Sequence, residues 1–152
     1  MRKNSNDPLS VTHIKDLATR LAELQPEVDK IIAAHELAMT NTGAAIEYWS
    51  PPTFCPTPPT RSVMHGCSEF SAYCVGYSRL GDRWQLAVRR CEVIDDGSDV
   101  RVINVVEVRP LREAPPEVKL VAIASMPIVL KGIASTLRKL VDGLEGVRQT
   151  RA

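Results

Sequence analysis

The stretch FSAYCVGYSRL-GD-RWQLAVRRCEVI, which runs from Phe70 to Ile94, decides the fold. It contains two runs rich in aromatic and β-branched residues, and Gly81-Asp82 separates them. Two residues with glycine first are typical of a tight β-hairpin turn. Because such a turn fixes the register, Tyr77 is predicted to lie opposite Leu86, and the neighbouring pairs follow from it.

Strand alternation sorts the hairpin side chains into two faces. The large apolar residues share one face: Tyr73, Val75, Tyr77, Trp84, Leu86 and Val88. Small or polar residues share the other: Cys74, Gly76, Ser78, Gln85, Ala87 and Arg89. Full burial of a large apolar side chain is worth about 1.5–3 kcal/mol, so the first face is predicted to be the covered one.

Further strands are predicted on both sides of the hairpin. Val100–Arg109 forms the third strand, after a turn of five residues, 95–99. With that turn length Leu86 lies opposite Val108, which extends the same apolar face. A short strand is expected at Ala44–Trp49.

The segment after that short strand is rich in proline. Five prolines occur between Pro51 and Pro59. Proline cannot donate a hydrogen bond to a sheet, so the chain is expected to be extended and polyproline-like, without sheet pairing, as far as Gly66.

A helix is predicted ahead of the strands. Its apolar residues recur with alternating steps of three and four: Ile14, Leu17, Leu21, Leu24, Val28 and Ile31. This spacing is close to a heptad repeat and predicts an amphipathic helix. The pattern keeps its phase across Pro26, so a kink or two nearly collinear helices are expected there. The helix is predicted to end at Asn41–Gly43, because asparagine and glycine are common at helix C-termini.

A second helix is predicted after the strands. It can begin at Pro115 or Pro116, since proline fits the first turn. Its apolar stripe starts at Val118 and continues to Leu144. Pro127 is expected to kink or divide the helix. Two glycines are expected to end it: Gly143 and Gly146.

The two helical stripes and the apolar sheet face have only each other to cover them. The expected fold is therefore a two-layer α+β domain, with an antiparallel three- to four-stranded sheet and the N-terminal and C-terminal helices packed on one face. Residues 1–10 are predicted to be a disordered arm, residues 11–146 the single domain, and residues 147–152 a tail.

Composition narrows the function classes. The chain has 152 residues, a formal net charge of +1 and four cysteines. Near-neutral charge argues against a nucleic-acid-binding surface, and four cysteines are too few for a disulfide scaffold. The first eight residues, MRKNSNDP, lack the apolar run of a secretion signal. The longest nearly apolar stretch, Leu120–Leu130, is shorter than the roughly 20 residues of a membrane span. A cytoplasmic protein without a membrane segment is expected.

A cluster of sulfur and imidazole ligands is the first candidate site. Cys55, His65, Cys67 and Cys74 lie within twenty residues. Zinc sites usually use paired short spacings, and His65-x-Cys67 is the only tight pair. The same two residues could act as base and nucleophile, but no third orienting group follows from the sequence. We predict no enzyme, no metal and no cofactor, and keep an enzyme or metal site in this loop as an alternative.

A nucleic-acid-binding sheet is a second alternative. Seven arginines fall in the sheet region: Arg79, Arg83, Arg89, Arg90, Arg101, Arg109 and Arg112. Arginines beside aromatic rings can grip phosphates and stack on bases. Six carboxylates share the same region, and the aromatic residues lie on the face predicted to be buried. We therefore predict no nucleic-acid partner.

Protein recognition is the interpretation favoured. Pro56, Pro59 and Arg61 match P-x-x-P-x-R, a polyproline motif that aromatic grooves bind. The heptad-like N-terminal helix is a second candidate surface, which could pair with a second copy of the chain as a homodimer. The sequence predicts a small non-enzymatic protein-binding or regulatory module, an adaptor or inhibitor of a larger protein assembly, self-associating through this helix.

Overall fold

The computed structural model describes residues 11–53, 60–61 and 66–151. Two long helices flank a series of strands in chain order: α1 (Val11–Asn41), β1 (Tyr48–Trp49), β2 (Thr60–Arg61), β3 (Ser68–Leu80), β4 (Arg83–Asp95), β5 (Val100–Pro110) and α2 (Pro116–Thr150). A short 3₁₀ turn, Leu111–Glu113, links β5 to α2. The predicted disordered arm, residues 1–10, lies outside the described residues.

The predicted hairpin is confirmed in its turn and its register. β3 and β4 pair antiparallel over their whole length, with Tyr77 opposite Leu86 and Val75 opposite Val88. Gly81 takes the left-handed φ of 62° that this turn needs and that glycine adopts without strain. The strand order across the sheet is β1-β3-β4-β5, and β2 pairs with the same strand β3 as β1 does.

The two helices cover one face of this sheet, which confirms the predicted two-layer α+β fold. Buried core residues come from α1, β3, β4, the 3₁₀ turn with Ala114, and α2: Ile32, Met39, Val75, Tyr77, Leu86, Val88, Leu111, Ala114, Val118, Ala122, Met126, Val129 and Ile133. Tyr77 and Trp84 stack within this layer, with ring centroids 5.6 Å apart. The predicted apolar face of the hairpin is therefore the face that the helices bury.

The predicted register of β5 is wrong. Val88 lies opposite Arg109, and Cys91 lies opposite Val105. Asp95 pairs with Val100, so the turn is one residue shorter than predicted, and two irregularities in the β4–β5 ladder add further shifts, one after Arg90 and one after Glu92. Each irregularity inserts an extra residue, and a period-two pattern cannot reveal such insertions. β4 also extends to Asp95, which shortens the predicted five-residue turn.

The opposite face of the sheet is apolar at its centre, although the sequence predicts it to be small or polar. Four side chains there are fully buried: Ala72, Cys74, Cys91 and Val93. Trp49 and Phe70 pack against them. The guanidinium of Arg89 lies 4.7 Å from the centre of the Trp49 ring. Since β5 pairs Val102 with Val93 and Val105 with Cys91, its valines extend this second face instead of the first.

Two short strands pair with the other edge of β3. One is shorter than predicted, and the other lies where no strand was predicted. Of the predicted strand Ala44–Trp49, only Tyr48–Trp49 pairs with β3. Thr60–Arg61 lies in the segment predicted to have no sheet pairing, yet it pairs with Glu69 and Ser68. Both residues follow the last proline of the segment, so they keep the backbone N–H groups that pairing requires.

Both helices run through the residues expected to interrupt them. α1 is one continuous helix with Pro26 inside it, and α2 contains Pro127. The expected end of α2 at Gly143 or Gly146 is wrong, because the helix continues to Thr150. A glycine inside a helix costs only about 1 kcal/mol relative to alanine, which a long helix tolerates.

α2 is also the one helix in the described residues that is long and apolar enough to cross a membrane by length and composition. An 18-residue window in it has a mean hydropathy of 1.8 with at most two charged residues. In the structure this helix buries Val118, Val129 and Ile133 against the sheet. Part of its apolar character therefore serves the core of the domain.

Candidate functional site

The first half of α1 carries an apolar stripe on an exposed helix. All residues from 11 to 24, hereafter the overhang, are exposed. Four stripe residues remain about half accessible: Ile14 at 56%, Leu17 at 48%, Leu21 at 47% and Leu24 at 53%. At 1.5 Å per residue the overhang is about 21 Å long. It is long enough to present two heptads of apolar surface to another helix.

The stripe of the overhang continues the face with which α1 enters the core. Val28 packs against the core cluster, and Ile32 and Met39 are buried in it. Residues 21, 24 and 28 follow one another at helical spacings of three and four, so their side chains lie on one face. The same face is thus covered by the sheet in one half of α1 and uncovered in the other half.

Charges on the overhang balance. Lys15 and Arg20 are positive, and Asp16 and Glu23 are negative, so two charges of each sign give a formal sum of zero. Two overhangs brought together would not repel each other as whole segments. The surface is suited to binding an apolar helix of near-neutral charge.

The last three turns of α2 form a second exposed helical segment. Its apolar residues are 51–70% accessible: Leu140, Val141, Leu144 and Val147. They continue the stripe that buries Val129 and Ile133 earlier in the same helix. Both helices therefore extend their core-facing stripe beyond the sheet.

A cleft of about 600 Å³ lies between α1 and the tip of the hairpin. Its polar centre is Glu36, which is 9% exposed and whose Oε1 lies 3.4 Å from a guanidinium nitrogen of Arg83. Arg112 donates to Gln85 at 3.4 Å. The ion pair between Arg83 and Glu36 links the hairpin tip to α1, and it balances the negative charge of the buried Glu36 carboxylate.

A second ion pair ties the two helices to each other. The Lys119 ammonium donates to Asp29 at 2.8 Å, and the Lys119 side chain is only 7% exposed. A buried ammonium without a partner is costly, so this contact fixes α2 against α1. The sequence gives no sign of this pair, since Lys119 borders the apolar stripe in the same way as a surface lysine.

Cys74 and Cys91 form a buried thiol pair on the second face of the sheet. Their Sγ atoms are 3.9 Å apart. Burial, together with the neighbouring Cys74, raises the pKa of the Cys91 thiol from 9.0 to about 11. Only the thiolate is a good nucleophile or metal ligand, so Cys91 is unreactive at neutral pH. Cys74 is predicted to lie within the hairpin, away from the loop cysteines, but the pattern was not extended to Cys91, although strand alternation puts both thiols on one face.

We expect Cys91 to resist alkylation in the folded protein. A thiol pKa of about 11 in place of 9.0 lowers the thiolate fraction about 100-fold at neutral pH, and burial slows access further. Iodoacetamide labelling at about pH 8 followed by peptide mass mapping should modify Cys91 at least about 100-fold more slowly than in urea. Labelling of Cys91 at equal rates in both states would contradict this burial.

The free energy of unfolding should also fall as the pH rises from 9.0 to about 11, since the unfolded thiol ionises first.

The residues of the predicted loop site are largely outside the described residues. Pro56 and Pro59 of the polyproline motif, with Cys55 and His65, lie there, and Arg61 is described as part of β2. Cys67 directly precedes β3, and Cys74 lies seven residues further along the strand, about 20 Å away. These two thiols cannot share one metal ion. In the described ranges, no group of three or more His, Cys, Asp or Glu could hold a metal.

Four of the seven sheet arginines lie 2.7–3.9 Å from a carboxylate oxygen: Arg83, Arg90, Arg101 and Arg109. Arg101 lies 3.6 Å from Asp96, and Arg109 lies 2.7 Å from Glu107. Hydrogen bonds from Ser98 and Asp99 lower the pKa of Asp96 to about 2, so this carboxylate stays charged. Tyr77 is 1% exposed and stacked in the core, where it cannot stack on a base.

Comparison with known proteins adds no functional assignment. No family model, curated protein or solved structure matches the chain. The surface with the clearest chemical character is the overhang, because its apolar stripe has helical spacing, half-exposed side chains and balanced charge.

Proposed function

We propose that the protein is a small non-enzymatic binding module that associates with other polypeptide chains through the overhang of α1. The stripe binds an apolar α-helix, and the helix that we propose as its partner is the overhang of a second copy of the chain. A module of this kind acts on larger assemblies by holding or blocking them, as an adaptor or inhibitor does.

The observation that carries this proposal is the pair of heptads at Ile14, Leu17, Leu21 and Leu24, all about half exposed on a helix that the sheet does not cover. Alternating steps of three and four are the pattern by which two helices interlock their side chains. A helix that served only the fold would end its apolar stripe where the sheet ends. Here the stripe continues for about 21 Å beyond the last core contact.

Two further features support helix-to-helix association. Pro26 is separated from the stripe by about 160–200° around the helix axis, given about 100° per residue and its spacing of two from Leu24 and Val28, so it does not obstruct the surface. The balanced charges of Lys15, Asp16, Arg20 and Glu23 allow two such helices to approach at physiological ionic strength.

Replacing Leu17 and Leu21 by glutamate should strongly weaken association through the overhang. Each substitution places a charge where the interface would exclude water, which strongly disfavours the assembled state. Sedimentation velocity of the full chain over a wide concentration range should show concentration-dependent assembly of the wild type. The L17E/L21E variant should associate at least about tenfold more weakly.

A matched control adds the same two charges to the opposite side of the helix. Thr12→Glu and Thr19→Glu lie on exposed positions of the overhang away from the stripe. This control should sediment like the wild type, and circular dichroism should show equal helix content in all three proteins. Equal sedimentation of L17E/L21E and the control would refute the proposal.

A further inference from the structure

The exposed edge of β5 is a second unpartnered feature, far from the overhang in sequence. β5 ends the strand order, so one of its edges has no neighbouring strand within residues 11–53, 60–61 and 66–151. Its aliphatic side chains are 36–56% accessible: Val100, Val102, Ile103, Val105, Val106 and Val108. Natural edge strands are usually short or carry lysine, proline, inward charges or bulges, because a long apolar edge templates further pairing. β5 contains two bulges, but it is 11 residues long and lined with exposed aliphatic side chains.

Two bulges give β5 an unusual arrangement of its polar residues. Three of them lie opposite regularly alternating residues of β4: Arg101 opposite Ile94, Asn104 opposite Glu92, and Glu107 opposite Arg90. Paired residues share a face, so Arg101, Asn104 and Glu107 all lie on the same side of the sheet. They are evenly spaced at three residues, with Asn104 at the midpoint between a positive and a negative side chain.

We propose that β5 pairs antiparallel with β5 of a second copy, about a two-fold axis at Asn104. In this register Arg101 lies opposite Glu107 of the second copy, and the same pair repeats on the other side of the axis. The remaining positions bring aliphatic residues together: Val100 with Val108, Val102 with Val106, and Ile103 with Val105. Opposite charges and aliphatic pairs directly across two strands each stabilise an antiparallel sheet.

Neighbouring registers lose this complementarity. An axis at Ile103 would place Glu107 opposite Asp99, and an axis at Val105 would place Arg101 opposite Arg109. Each of these arrangements repeats a like-charge pair twice across the axis, which destabilises pairing. The charge pattern of β5 therefore favours the axis at Asn104 over the two axes beside it.

Both charged groups can reach a second chain. The Arg101 side chain is 61% exposed, and its contact with Asp96 at 3.6 Å lies in the neighbouring turn. The Glu107 side chain is 40% exposed while it accepts from Arg109. Pairing would join two sheets into one, in the order β1-β3-β4-β5-β5-β4-β3-β1. This goes beyond the proposed function, since the overhang takes no part in it.

The test uses the full chain with the L17E/L21E substitutions, so that association through the overhang is removed. Sedimentation velocity of this parent should show a dimer that dissociates on dilution. Arg101→Glu alone places two carboxylates opposite each other at both ends of the interface, and Glu107→Arg alone places two guanidinium groups there. Each single variant should dimerise at least about tenfold more weakly than the parent, with a smaller difference at about 1 M salt.

Mixing the two single variants provides the decisive measurement. In a heterodimer, the R101E chain presents carboxylates at both positions and the E107R chain presents guanidinium groups at both. Each contact across the axis therefore joins opposite charges again. An equimolar mixture should recover the dimer, which also shows that both variants fold. Ile103→Lys serves as an independent variant, because its added charge should weaken the dimer without rescue by mixing.

Three results would overturn the proposal: a parent that stays monomeric at every concentration, an Arg101→Glu variant that dimerises like the parent, or a mixture that does not recover. None of these depends on the overhang. Conversely, if wild type and L17E/L21E assemble equally while Arg101→Glu weakens both, the proposed function fails and the β5 interface stands.

Discussion

Replacing Tyr77 by alanine is expected to lower the free energy of unfolding by about 3–5 kcal/mol, as measured by urea denaturation at one fixed protein concentration. Tyr77 is 1% exposed and lies in the central strand β3, opposite Leu86. Its ring stacks on Trp84 with an interplanar angle of 24°. Truncation would leave a cavity between the sheet and α2 and would remove the ring contact that covers the indole.

Tyr77→Phe is the matched control, since it keeps the ring and removes only the hydroxyl. We expect it to change the stability by less than about 1 kcal/mol. Following unfolding by far-UV circular dichroism keeps the measurement independent of Trp84, whose fluorescence will respond to any change at position 77. A loss below about 1 kcal/mol for Tyr77→Ala would show that the two rings do not lie in the core.

Replacing Gly132 by alanine is expected to destabilise the protein, although alanine is the better helix former. A Cβ atom at position 132 would overlap the aromatic ring of Tyr48, which packs between α2 and the sheet. Overpacking costs about 1–3 kcal/mol and outweighs the gain of about 1 kcal/mol from alanine in a helix. Tyr48 belongs to β1, so its displacement should also weaken the pairing of β1 with β3.

The same helix contains a control glycine in open space. A Cβ atom at Gly143 meets nothing within 4 Å, so Gly143→Ala should stabilise by about 0.5–1 kcal/mol. In a Tyr48→Val background the overlap disappears, and Gly132→Ala should then become stabilising as well. Urea denaturation of these variants and their parents gives the differences. Stabilisation by Gly132→Ala in the Tyr48 background would show that α2 does not lie against β1.

The fold of the hairpin and the helices could be predicted because local and long-range signals agree there. Gly81-Asp82 fixes the register of β3 and β4, and this register puts six large side chains on one face: Tyr73, Val75, Tyr77, Trp84, Leu86 and Val88. The helical stripes then have a single surface to cover. Where turn chemistry and hydrophobic pattern specify the same arrangement, the sequence leaves little choice.

β5 could not be predicted in the same way because its bulges break the period of two. By simple alternation Val105 would lie on the side opposite to Val100, Val102, Val106 and Val108, so any register would bury some valines. The sequence also offers no turn as short as Gly81-Asp82 to choose among registers. The second apolar face was missed for a related reason. Cys74 and Ala72 are small, and their burial depends on Trp49 packing across the sheet.

The overhang of α1 is the part of the candidate site that the sequence indicates, because heptad spacing is visible without a structure. Its exposure is not visible, since the same spacing serves equally well inside a core. The ion pairs Glu36–Arg83 and Lys119–Asp29 were beyond sequence reasoning. Their members are 47 and 90 residues apart. Only the packing of α1 against the hairpin and α2 brings them together.

The proline inside α1 has a mechanical consequence for a protruding helix. Pro26 has no N–H, so the carbonyl of Ala22 lacks the hydrogen bond that every interior turn otherwise has. This gap lies just before Val28, where α1 first touches the core. The helix therefore lacks one backbone hydrogen bond close to the point where it leaves the core, and bending of α1 costs least there. Bending at this position would let the overhang meet the proposed partner helix over a range of angles, while the sheet and the helices that cover it stay undisturbed.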